Sequence, residues 1–179
     1  PNIMMMMMRF LLLIFYLLLI TLALAKSHNN NNDDDKTNNY TERFMKNFDI
    51  SKQQFEETPL TLACHHYTSF LTATAWSESY PVVLAALLPC FWIYAEVGKD
   101  IVGNSIANNP YQAWIDTYAG EEFNQAVRNV IATIDKVAAR CDTDTIEKMH
   151  KAYRKGAELE WLFWDSAYKQ QQWLGLDHA

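Results

Sequence analysis

Residues 85–99 read Ala85-Ala86-Leu87-Leu88-Pro89-Cys90-Phe91-Trp92-Ile93-Tyr94-Ala95-Glu96-Val97-Gly98-Lys99, and they sit within an almost unbroken apolar run from Val82 to Ala95. The run follows Pro81, which suits a first helical turn, where a missing N–H costs nothing. Gly98 and Gly103 are expected to lie beyond its end. It is too short to cross a bilayer, so the pattern predicts a helix buried on all sides. Pro89, in its middle, removes one backbone hydrogen bond and crowds the Ala85 carbonyl, so a bend is expected there.

Upstream, Leu60, Ala63, Tyr67, Phe70, Leu71 and Thr74 recur at helical spacing from a start just after Pro59. Downstream, Asn109-Pro110 opens a short helix through Trp114 and Tyr118, which Gly120 stops. Phe123, Val127, Val130, Ile131, Ile134 and Ala138 then share one face of a long helix. A last helix is predicted from near Asp144, with Glu147 three residues on as a capping-box partner, to about Gln171. The fold class that follows is all-α, a set of long helices around an aromatic core.

Composition agrees. Half of the 179 residues are apolar and 20% are charged, with only five Gly and five Pro, and no Val/Thr-rich alternation suggests a β-sandwich or barrel. A net charge of −6 without a basic cluster argues against nucleic acid as partner. Cys64, Cys90 and Cys141 cannot all pair within one chain and show no zinc-ligand spacing, which excludes a disulfide scaffold.

The N-terminus reads differently. A Met run, Arg9, the apolar stretch Phe10 to Ala25 and the small residues Ala23-Leu24-Ala25 before Lys26 have the layout of a secretory signal. Residues 1–26 are therefore expected to be a signal peptide or anchor. Secretion or membrane attachment would follow, with membrane contact through residues 10–25 if uncleaved, and a cytosolic location if the segment is no signal. Residues 27–54 are expected to be an Asn/Asp-rich disordered linker, with a sequon at Asn39-Tyr40-Thr41. Residues 55–175 form the helical domain.

Glu160 is the most informative polar residue. It falls on the inward stripe of the last helix with Ile146, Met149, Tyr153, Ala157, Phe163, Trp164 and Ala167. Glu158 falls instead with Lys151, Arg154, Lys155, Asp165 and Lys169 on the charged face. A carboxylate on an apolar face is costly unless paired, protonated or used. Burial would raise its pKa and suit it to proton exchange, and equally it could pair with a buried amide or cap a loop. Cys90 follows the Pro89 bend, with Tyr94 four residues on along one face. An inert buried thiol and a reactive one both fit. Tyr67, Tyr94, Tyr118 and Phe163 are either core or the lining of a slot for a flat ring. His65, His66 and His150 have no partner at metal-ligand spacing.

The segment 85–99 resembles the signature of the TenA/thiaminase II family. In the same order follow Asn109-Pro110-Tyr111 with Trp114-Ile115 and Tyr118, then Glu160-Trp161-Leu162-Phe163-Trp164-Asp165 and Ala167-Tyr168. Upstream, Tyr67-Thr68-Ser69-Phe70-Leu71 resembles a further block. The resemblance covers roughly residues 55–173. It implies a haem-oxygenase-like helical bundle, usually a homotetramer, that uses no metal or organic cofactor. The implied reaction hydrolyses aminomethyl-aminopyrimidine to hydroxymethylpyrimidine, in many members with cleavage of thiamin too. Position by position, Cys90 would be the nucleophile that adds to the pyrimidine ring. Glu160 would hold and protonate a ring nitrogen, then assist the leaving amine. Tyr67, Tyr94, Tyr118 and Phe163 would form the aromatic slot and its hydrogen-bond relay.

Family members carry further helices ahead of the position of Tyr67, supplying a catalytic Asp and a stacking aromatic. The signal-like run and linker stand in that place, so the bundle is expected to be incomplete on its N-terminal side. Three readings follow: a TenA-type hydrolase, a catalytically impaired truncated paralogue, or a secreted helical pyrimidine-binding module.

Overall fold

The structure is a computed structural model, and it describes residues 45–171. The expected signal at 1–26, the linker up to residue 44 and the sequon lie outside the described residues. Among the described residues, from Lys52 onward, the helices are in order α1 (Lys52–Glu57), α2 (Leu62–Ser77), α3 (Tyr80–Leu87), α4 (Pro89–Val102), α5 (Gln112–Ala119), α6 (Glu121–Ala138) and α7 (Thr143–Tyr168). No strand occurs among the described residues, so the class is all-α. They form two compact units, one of 45–68 with 162–171 and the other of 69–161.

In the first unit, Ser51 closes a capping box on α1: its Oγ accepts the Gln54 N–H at 3.1 Å, and Gln54 Oε1 accepts the Ser51 N–H at 2.9 Å. Regular structure thus reaches upstream of the boundary expected at residue 55. The start of α2 is not at Pro59 but at Thr61, whose hydroxyl accepts the Cys64 N–H at 3.2 Å and whose carbonyl accepts from His65 at 2.8 Å. Threonine offers the first turn an acceptor that proline lacks. Cys64 and Tyr67 are fully buried, as are Phe163 and Ala167 on the last part of α7.

The second unit is built on α3 and α4. Leu88, between them, keeps helical torsions (φ −54, ψ −39), its N–H bonds to the Leu84 carbonyl at 3.1 Å, and both the Phe91 and Trp92 N–H groups bond to its own carbonyl. Pro89 therefore interrupts the hydrogen-bond ladder while the chain keeps its helical course. The whole run Tyr80–Val102 is 23 residues, long and apolar enough by length and composition to cross a membrane, and most of its apolar part is buried inside the protein. Reading only its apolar centre makes this helix too short. It is also not buried on all sides: Trp92 is 39% exposed, one ring resting against Tyr153 of α7 at 6.3 Å between centroids.

Gly98 does not end α4 but sits inside it, and Gly103 is the C-cap. A Cβ on Gly98 would lie 2.6 Å from the Tyr118 carbonyl carbon, so the missing side chain is what lets the backbone of α5 approach. α5 starts two residues later than Asn109-Pro110 would place it, at Gln112 with Tyr111 as N-cap, after a turn in which Asn109 Oδ1 accepts the Tyr111 N–H at 2.9 Å, and it ends at Gly120 as expected. α6 buries Val127 and Ile134 and half-buries Phe123, Val130, Ile131 and Ala138, the face read from the sequence.

The last helix starts earlier than expected. Asp142, not Asp144, caps it, with Oδ1 accepting the Thr145 N–H at 2.7 Å. Hydrogen bonds from the Thr145 side chain and backbone hold the Asp142 carboxyl below its ordinary range. The helix stops at Tyr168, short of Gln171, where Gln170 turns to a left-handed φ of 51.

Candidate functional site

Cys90 and Tyr94 stand one turn apart on α4 and are 4% and 1% exposed. Pro89, immediately before Cys90, meets Gly156 of α7: a Cβ on Gly156 would lie 2.7 Å from the Ala86 carbonyl oxygen and 3.1 Å from the Pro89 ring. Pro89, the place expected for a bend, is thus a seat for a neighbouring helix. Lys148 reaches Glu78 at 3.9 Å, and eight residues further along each chain Gly156 lies on Ala86. α7 therefore runs alongside α3 in the same direction. One more turn on each brings Glu160 and Cys90.

Glu160 is 1% exposed, whereas Glu158 is a solvated residue paired with Lys155 at 2.5 Å. The stripe assignment of the two carboxylates therefore holds. The stripe itself is deeper than the sequence reading made it, since Ala152, Gly156 and Leu159 are also buried.

Tyr94 joins the two helices chemically. Its phenol is held well above the ordinary tyrosine range, first by burial, then by the Glu160 carboxylate, then by Tyr118 and Cys90. Four of the six residues singled out from the sequence, Cys90, Tyr94, Tyr118 and Glu160, thus share one neighbourhood. A nucleophile-type thiol, two phenols and a buried carboxylate in one dry place can pass a proton and exclude water.

α5 supplies the aromatic wall. Tyr118 lies 5.1 Å from Tyr94 and 4.6 Å from Trp114, ring to ring, and meets Phe123 edge-on at 4.9 Å. Trp114 also approaches Tyr94 at 6.2 Å. Asn124, 5% exposed, fixes the end of α5 by donating its amide to the carbonyls of Tyr118, Ala119 and Gly120 at 3.3, 3.2 and 2.9 Å. Asn124 and Gly156 are supports that sequence reasoning did not single out, and Trp114 and Gly98 entered it only as helix markers.

Tyr67 on α2 and Phe163 on α7 belong to the other unit, where both are fully buried. Phe163 follows Glu160 by three residues, on the same side of α7. His65, His66 and His150 are exposed, and none of the three cysteines is in a disulfide. Among the described residues no group of three His, Cys, Asp or Glu is placed to hold a metal.

The profile of the TENA/THI-4/PQQC family matches residues 21–170. The chain belongs to that family. An aminopyrimidine aminohydrolase of Bacillus subtilis is 31% identical over 130 residues, 73% of this chain and 55% of the relative. One of Halalkalibacterium halodurans is 30% identical over 132 residues, covering 73% and 59%. The chain thus spans a little over half the length of these curated relatives. Among solved structures, a TenA family transcription regulator from a Silicibacter species superposes with a TM-score of 0.75 at 22% identity, over 93% of this chain and 80% of that one. The TenA homologue of Pyrococcus horikoshii gives 0.67 at 21% identity, over 96% and 90%. The fold is the haem-oxygenase-like helical fold of the TenA structures.

Proposed function

We propose that the chain acts on thiamin-derived pyrimidines, exchanging the amine of aminomethyl-aminopyrimidine for water. The observation that carries this reading is the gathering of Cys90, Tyr94, Tyr118 and Glu160 around one buried phenol. Relatives named for this reaction support it.

In the proposed sequence, the Glu160 carboxylate, ionised in the resting chain, takes up a proton as the substrate arrives and donates it to a ring nitrogen, which makes the ring electrophilic. The Cys90 thiolate adds to a ring carbon, and the amine of the aminomethyl arm, carried in its ammonium form, leaves as ammonia. Water then adds to the exocyclic carbon and gives its proton to the Glu160 carboxylate, and the Cys90 thiolate is expelled, so one water enters for each ammonia released. Tyr94 and Tyr118 offer an aromatic wall to the flat ring and a route for protons.

The test is to incubate the full chain with aminomethyl-aminopyrimidine in ¹⁸O-enriched water. Hydroxymethylpyrimidine carrying the label, equimolar with ammonia, is the expected product, and Cys90→Ser should yield none. Saturable binding without ammonia release would overturn the hydrolase reading in favour of a pyrimidine-binding module.

A further inference from the structure

The close approach at Gly156 has a position that matters for the chemistry. Gly156 precedes Glu160 by four residues, and Ala86 precedes Cys90 by four. The close approach at Gly156 therefore lies one turn below both groups, about 6 Å along each axis. The neighbours of Gly156 are the Ala86 carbonyl, which is backbone, and the ring of Pro89, which cannot rotate away. Any side chain at 156 would have to push α7 off α3 and α4, and Glu160 would move with it.

We propose that Gly156 is a positioning residue: its contact with Ala86 and Pro89 sets where the Glu160 carboxylate stands relative to Cys90 and Tyr94. The proposal rests on the reading of Cys90 and Glu160 as the reacting pair. Gly156 itself touches no substrate. It acts through Glu160, which distinguishes it from a residue that only holds the core together. A core residue would weaken the fold by the same factor whether or not position 160 carried a charge. A positioning residue loses its effect once that charge is gone.

The experiment measures alkylation of Cys90 by iodoacetamide at neutral pH, followed on the Cys90 peptide by mass spectrometry. The four proteins are the full wild-type chain, Glu160→Gln, Gly156→Ala and the double variant. Removing a neighbouring negative charge favours the thiolate, so Glu160→Gln should speed alkylation roughly three- to tenfold. Gly156→Ala should speed it by a similar factor in the wild-type background and by under about twofold in the Glu160→Gln background. Equal factors in both backgrounds would overturn the proposal, as would a Glu160→Gln protein that alkylates at the wild-type rate. If Gly156→Ala does not fold, judged by near-ultraviolet circular dichroism, Pro89→Ala alters the same contact from α4 and must show the same coupling. Ammonia release is not in this readout. A chain that turns over nothing yet shows the coupling would sink the hydrolase reading alone, and an active chain with equal factors would sink the positioning role alone.

Discussion

Replacing Gly98 by Ala tests the packing that brings Tyr118 to Tyr94. The added Cβ would stand 2.6 Å from the Tyr118 carbonyl carbon and 2.8 Å from both the Ala119 nitrogen and the Tyr118 oxygen. Comfortable separation is roughly 3.5 Å, so α4 and α5 must part by close to an ångström, with only backbone to yield. Overpacking of this kind costs about 1–3 kcal/mol. Alanine recovers about 1 kcal/mol of helix propensity, leaving a net loss of up to about 2 kcal/mol. In a domain of this size that lowers the melting temperature by up to about 8 °C. Gly103 is the internal control: it has nothing within 4 Å of its Cβ position and sits at φ −79, ψ −14, which any residue adopts. Gly103→Ala should be neutral or raise stability by about 0.4–1 kcal/mol through the unfolded chain. The assay is thermal unfolding followed by far-ultraviolet circular dichroism on both variants. Near-ultraviolet spectra should also change for Gly98→Ala alone, because the Tyr94–Tyr118–Trp114 rings sit at the displaced contact. Equal melting temperatures for the two variants would refute the close-approach argument.

Asn124→Ala leaves three backbone carbonyls at the end of α5 without their amide donor, and should cost about 1–3 kcal/mol in urea unfolding. A loss within error would mean that water replaces the amide at no cost. Tyr94 gives a pH signature. The native state keeps its phenol protonated well above the ordinary range, while the unfolded chain ionises near pH 10. Above about pH 10 the native state therefore holds the extra proton, and stability falls by up to about 1.4 kcal/mol per pH unit from this residue. Tyr94→Phe should flatten that alkaline decline in denaturant midpoints, and an unchanged slope would contradict the burial of the hydroxyl beside Glu160.

Periodicity exposed much of the site before the fold was known. Glu160 and Glu158 differ by two residues, and a period of 3.6 sends them to opposite sides of α7. The same period places Cys90 and Tyr94 together, and a buried carboxylate on an apolar stripe is conspicuous because it is costly. The supports were not legible. Gly98 reads as a helix stop, since glycine commonly ends helices, and only the backbone of α5 explains why it sits inside one. Gly156 reads as a weak helix former on a long amphipathic pattern until Ala86 is seen against it. Asn124 looks like a surface amide, because its three acceptors come from a turn that local patterning cannot place. Helix starts at Thr61 and Asp142 were displaced by two residues from the Pro59 and Asp144 signals, since several capping-capable residues cluster at each and hydrogen-bond geometry chooses among them.

The central claim is that Cys90 and the buried Glu160 carry the chemistry of this TenA-family chain, while Glu158 beside it does not. Initial rates of ammonia release from aminomethyl-aminopyrimidine, measured for the wild-type chain, Cys90→Ser, Glu160→Gln and Glu158→Gln, test it most directly. Loss of the nucleophile should abolish the rate to background, and Glu160→Gln should lower it roughly 10²–10³-fold. Glu158→Gln, which alters only a solvated pair with Lys155, should stay within about twofold of wild type. A Glu160→Gln enzyme as fast as Glu158→Gln, or a Cys90→Ser enzyme that still releases ammonia at the wild-type rate, would contradict it.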